Sequence, residues 1–204
     1  MINEIKKSFS ENKLAIYASI AIFLFSFIFG FAFKQYLNSI LTPVVEDLSQ
    51  KVQTGEIKLT FVDIFSNNIG IVLKMFIYGL TFCFSAIVLA YNGFFVGFYI
   101  ASSNNLFYTL LLILPHGIFE FSSCILACAG GFVLFNFLYR FLKSLWGQED
   151  ESLKKCFKAA FDDSSDKLNQ AFILLIIASI LMAIAAVIEV YLTIPLAKLI
   201  VSIL

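Results

Sequence analysis

Twenty residues from Leu14 to Phe33 contain no charge, and Lys34 closes the run. As a helix at 1.5 Å per residue, such a run is about 30 Å long, the thickness of a bilayer's hydrocarbon core. It is too long for a signal-peptide core and no small-x-small cleavage site follows, so it reads as a retained anchor. The rest of the chain must therefore be judged against lipid as a solvent. Composition agrees: 60% of the 204 residues are apolar and 14% charged, where soluble domains run near one half and one quarter. The expected fold class is all-α, a polytopic membrane helical bundle forming a single transmembrane domain over 1–204.

Spans are expected over about 14–33, 69–91, 93–114, 118–141 and 171–194. Pro115 suits the first position of a helix, so the fourth span opens there, and Pro195 closes the fifth. Residues 196–204 are too short to cross. Ser102, Ser103, Asn104 and Asn105 fall near the middle of the third span. Polar backbone at that depth is tolerated only against protein or a water-filled cavity. The region around 93–117 is thus either one crossing with a polar break or two broken half-helices of a re-entrant hairpin.

Between the spans, Thr42-Pro43 opens a helical pattern with Val44, Val45, Leu48 and Val52 on one side. Thr60 and Asp63 have the spacing of a capping box ahead of Phe61. Leu153, Cys156, Phe157, Ala160, Phe161 and Leu168 repeat at helical spacing in the 142–170 loop. These patterns predict short amphipathic interfacial helices on the membrane surface; an ordinary structured loop is the alternative for 34–68. Lysines concentrate in 1–13 and 140–168, which places both in the cytoplasm by the positive-inside rule. Five crossings satisfy that, with the N-terminus cytoplasmic, 34–68 outside and the protein a multi-pass component of the cell membrane.

Within the spans, Lys74, His116, Glu120 and Glu189 are ionisable. A charge at a span centre costs roughly 2.5–3.5 kcal/mol on insertion scales, so intramembrane ionisable groups are functional suspects by default. His116 and Glu120 share one helical face. With the spans above, all four groups fall in one outer layer, and Lys74 should pair with Glu120 or Glu189. The competing reading is structural: the four hydrogen-bond one another and hold the helices together. Two ridges of small residues, Gly93/Gly97/Ala101 and Ser123/Ala127/Gly131, are narrow enough for close helix contact. One of them joining two copies predicts a homodimer.

Enzyme chemistry finds no purchase. A zinc protease needs a second histidine, and His116 stands alone. Ser122 and Ser123 follow His116 too closely on one helix to act as its nucleophile. Cys83, Cys124, Cys128 and Cys156 do not make a metal site, and no cofactor is implied. Net charge is zero, so nucleic acid is not an expected partner; the bilayer is.

Leu114-Pro115-His116-Gly117-x-x-Glu120, with the small-residue run after it, resembles the signature of the stage II sporulation protein M family. Phe65-x-Asn67-Asn68, Asn92-Gly93-x-x-x-Gly97 and Glu189-x-Tyr191-x-x-x-Pro195 stand in matching order. The resemblance implies a multi-pass membrane protein that acts with envelope-remodelling partners when one membrane migrates around another. It implies no reaction. The expected role is therefore membrane scaffolding or shaping, or organising an envelope-remodelling complex. A small transporter or channel using the Lys/His/Glu cluster is the alternative, although nothing resembles the inverted repeat common among transporters.

Overall fold

Pro115 does not open a helix. In the computed structural model, which describes residues 2–56, 59–81, 83–146 and 153–203, it lies inside a helix that starts nine residues earlier. In chain order the elements are α1 (Ile2–Glu11), α2 (Lys13–Ala32), α3 (Lys34–Gln53), α4 (Phe61–Tyr78), a 3-10 turn (Gly79–Thr81) and α5 (Cys83–Ser102). Then come α6 (Leu106–Trp146), α7 (Leu153–Ile188), a π turn (Glu189–Thr193) and α8 (Ile194–Ile203). No strand occurs among the described residues. Five helices are long and apolar enough to cross a membrane: α2, α4 with its 3-10 turn, α5, α6, and α7 running on towards α8.

The second and third spans differ from their sequence-based boundaries. Residues 69–91 are not one helix, because the chain turns at Gly79–Thr81; 93–114 is likewise interrupted, at 103–105. The second crossing starts earlier than expected, at Phe61, where the Thr60 side chain caps the helix by accepting from the Asp63 N–H. The Ser102–Asn105 patch is therefore the turn between α5 and α6, where polar groups have a use. Asn105 Oδ1 accepts from the Tyr108 N–H at 3.1 Å and caps α6, and Ser103 pairs with Thr109. Among the described residues α5 and α6 are each long and apolar enough to cross a membrane, in place of the two half-helices of a re-entrant hairpin.

Helix α6 carries most of the core. Its Cys124, Ala127, Cys128 and Val133 are buried against Val72, Met75 and Phe76 of α4 and against Ala171, Leu174, Ala178 and Met182 of α7. The antiparallel α6–α7 pair is the most extensive contact in the molecule. Ala171, Ala178 and Ala185 lie fully or almost fully buried at seven-residue spacing, the seam of a close-packed helical pair. Ser123 Oγ crosses it, donating to the Ala178 carbonyl at 2.7 Å.

The helix expected to lie flat over 153–168 is instead the first part of α7. Its apolar side covers the end of α6, with Phe157 edge-on to Phe141 and Phe161 edge-on to Phe137. At 41 residues, α6 is about 60 Å long, roughly twice a hydrocarbon core. A helix of that length spanning a bilayer would project beyond it, and in the α6–α7 hairpin the apolar stripe of α7 is covered by α6. The hairpin's join, 147–152, lies outside the described residues. Nor does Pro195 end the last span: the chain widens into a π turn just before it and continues as α8, with Pro195 withholding one N–H from that turn.

Both small-residue ridges are used within the chain. A methyl on Gly97 would fall on the Phe27 carbonyl, and one on Gly30 would fall on the Phe94 carbonyl. These glycines are what brings α2 and α5 together. On the second ridge, a methyl on Gly79 would strike the backbone of Gly131. Neither ridge is left over to join two copies, which removes the sequence-based reason for a homodimer. Gly97→Ala should cost about 1–3 kcal/mol through overpacking and lower the melting temperature in detergent. Gly70 is also helical but meets nothing within 4 Å of an added methyl, so Gly70→Ala should be neutral or stabilising. Indistinguishable melting curves for Gly97→Ala and the parent would contradict the close crossing.

Candidate functional site

The four ionisable residues of the spans divide. His116 faces the π turn, its Nδ1 lying 3.1 Å from the Oγ1 of buried Thr193. Glu120 follows one turn along α6 on the same side, and Glu189 stands one turn before Thr193. The two carboxylates lie within electrostatic range of each other. Neither has an ion-pair partner among the described residues. A π turn staggers the usual backbone bonds and is a frequent companion of functional side chains.

Lys74 does not join them. It is exposed on α4 and forms no ion pair among the described residues. The reason lies in the register. Helices α4, α5 and α6 alternate in direction through two turns, so α4 and α6 run parallel, and Gly79 rests on Gly131. Lys74, five residues before Gly79, is then level with Leu126, six residues or about 9 Å past Glu120. Placing the start of the span at Ile69 instead of Phe61 put the lysine at the wrong depth.

A second polar cluster, at the opposite end of the bundle, was not legible from the sequence. Asn12, between α1 and α2, donates to Gln170 Oε1 at 2.7 Å and to the Ser8 carbonyl at 2.8 Å. Lys167 Nζ donates to Gln170 Oε1 at 2.8 Å and to Glu11 Oε2 at 3.0 Å. Gln170 Nε2 completes the ring, donating to the same Glu11 oxygen at 2.8 Å. Lys167, Gln170 and Asn12 are buried, at 5%, 1% and 6% exposure, although a lysine just ahead of a span looks like a solvated one. The available signal was Gln170 itself, a carboxamide at the head of an apolar run with nothing local to bond. This hub ties the two lysine-rich segments, α1 and the start of α7, to the same face. Beside it, Arg140 and Asp166 pair across the hairpin at 3.8 Å.

The profile of the family described as Stage II sporulation protein M matches residues 19–194. The chain belongs to the stage II sporulation protein M family. It is similar to an uncharacterized protein of Methanocaldococcus jannaschii, 33% identical over 186 residues, which cover 89% of this chain and 94% of that one. No solved structure matches it.

The residues matched to the stage II sporulation protein M family include His116, Glu120, Glu189 and Thr193, together with Lys167 and Gln170 from the hub. Glu11 and Asn12 lie before them, so the hub joins the family core to its flanking helix. Glu11's carboxyl is held below its ordinary value of 4.5, first by the Gln170 bond and then by Lys167. A carboxyl with a lowered folded pKa adds stability above its unfolded value and loses it as pH falls through the folded one. Melting temperature in detergent should therefore drop as pH falls below about 4.5, and Glu11→Gln should flatten that part of the profile. An unchanged slope would show that the hub does not couple folding to this proton.

Proposed function

We propose that the protein is a non-enzymatic membrane scaffold, shaping the bilayer or organising an envelope-remodelling complex. The observation that carries this is α3. It is a 20-residue helix at the end of the bundle away from the hub, held by buried Leu41 and by Lys34 Nζ donating to the Ala101 carbonyl at 3.0 Å. Along it Tyr36, Ile40 and Val44 are exposed at four-residue intervals, with Val52 exposed two turns further on, a slanting apolar stripe that the other described residues leave uncovered. Such a stripe enters the headgroup region of a leaflet or meets a partner helix. The glycine-built crossings beneath it supply a stiff base, and a second copy of the chain would have to use this stripe or the lipid-facing surface.

The test replaces Ile40 and Val44 with serine. In reconstituted vesicles the parent should deform the membrane or retain envelope partners on co-purification, and the double variant should lose both at an unchanged melting temperature. Equal behaviour of the two would overturn the proposal. One observation favours transport as a second reading: Glu120 and Glu189, near His116 and the π turn, have no ion-pair partner among the described residues. Proton flux in proteoliposomes that disappears in Glu120→Gln would establish it in place of the scaffold.

The lysine-rich face that carries the hub is, in this reading, the cytoplasmic one, since short cytoplasmic segments concentrate lysine and arginine. A cysteine introduced at Gln53 in a cysteine-free background should then react with impermeant reagent from outside the cell only. Labelling confined to the cytoplasmic side would reverse the orientation.

A further inference from the structure

Where α1 passes into α2, a cleft of about 390 Å³ opens beside the hub. Glu11 and Asn12 form its polar end, Asn136 of α6 stands across from them, and Ala15, Ala18 and Val133 line the apolar part. The cleft thus crosses the level at which the first span enters the membrane, with Leu14 at its rim 83% exposed. Its polar end has acceptors to spare. Asn12 uses its amide N–H groups on Ser8 and Gln170, and its Oδ1 takes no hydrogen bond from the described residues. Glu11 receives both of its hydrogen bonds at Oε2, while Oε1 has only Lys7 at 4.0 Å. The Asn136 amide makes no hydrogen bond among the described residues. Two acceptor oxygens without a protein donor among the described residues, and a spare carboxamide, at one end of an apolar cleft suit a group that only donates, and a primary ammonium offers three N–H bonds.

We propose that this cleft binds the headgroup of an aminophospholipid, its ammonium on Glu11 Oε1 and Asn12 Oδ1 and part of its apolar body along Ala15, Ala18 and Val133. The charges select a lipid over a free amine. A lone ammonium would face Lys7 and Lys167 across a single carboxylate. A headgroup carrying its own phosphate offsets them, and exposed Lys13, next to Asn12, stands at the level of lipid phosphates. The hub is the second layer of the site: Lys167 and Gln170 occupy one oxygen of Glu11 and turn the other outward. A trimethylated headgroup carries the same charge but has no N–H to give, so the site discriminates by donors and not by charge.

The experiment is native mass spectrometry of the full chain released from bilayers holding equal amounts of phosphatidylethanolamine and phosphatidylcholine with identical acyl chains. The parent should retain phosphatidylethanolamine in several-fold excess. Asn136→Leu, which removes a polar wall without touching the hub, and Ala18→Phe, which fills the apolar part, should each bring the ratio close to one. Thermal unfolding of each variant confirms that it is folded, and either one suffices. A parent ratio near one, or an excess kept by a folded variant, overturns the proposal. Free phosphoethanolamine raising the melting temperature as much as the lipid does would overturn the lipid as the source of the ammonium.

Discussion

Gly79 rests against Gly131 with no side chain on either partner, and much of the architecture depends on that contact. In lipid, apolar side chains gain nothing by leaving one apolar surface for another, so helices associate by close packing and by hydrogen bonds. Two glycines opposite each other let α4 end directly on the backbone of α6. That contact sets where the chain turns back into α5 and how deep Lys74 lies. A side chain at either position would push α4 outward and open the core in which Val72, Met75 and Phe76 meet Ala127 and Cys128.

The polar groups fall at two levels, and the two are treated differently. At the lysine-rich end, Glu11, Asn12, Lys167 and Gln170 form a near-closed ring in which a buried ammonium has a carboxylate and a carboxamide for partners. Burying a charge is tolerable only on those terms. Towards the other end, His116 has Thr193, while Glu120 and Glu189 have no ion-pair partner among the described residues. The first arrangement is a joint between helices. The second is an unsettled pair beside a π turn, and it supplies the only argument for transport that survives the loss of Lys74 from the cluster.

The α6–α7 hairpin shows how a stripe of apolar residues can be misassigned. Cys156, Phe157, Ala160 and Phe161 have the spacing of a helix lying on a membrane, and the same spacing suits a helix packed on a partner. Phe137 and Phe141 decide between them, because α6 continues far enough to supply the partner surface. On α3 the corresponding stripe has no such cover.

By itself the sequence determined the all-helical class, the family and the presence of five helices long and apolar enough to cross a membrane, since each follows from runs of apolar residues or from local motifs. It also identified both small-residue ridges, because close approach in lipid demands small residues wherever it occurs. The start of α4 was legible too, from the Thr60–Asp63 cap, but most other helix ends and the pairing of polar groups were decided by the tertiary structure. Asn105 caps a helix in place of breaking one, Pro115 and Pro195 sit inside helices that neighbours hold together, and Lys74 lies level with Leu126, about 9 Å along the axis of α6 from Glu120. The depth of Lys74 turns on register between helices, and register is fixed by contacts such as Gly79 on Gly131 and Asn12 on Gln170, whose partners lie 52 and 158 residues apart in the chain. No local pattern carries that information, because a glycine or a carboxamide reads the same whether its partner is lipid, water or a distant helix.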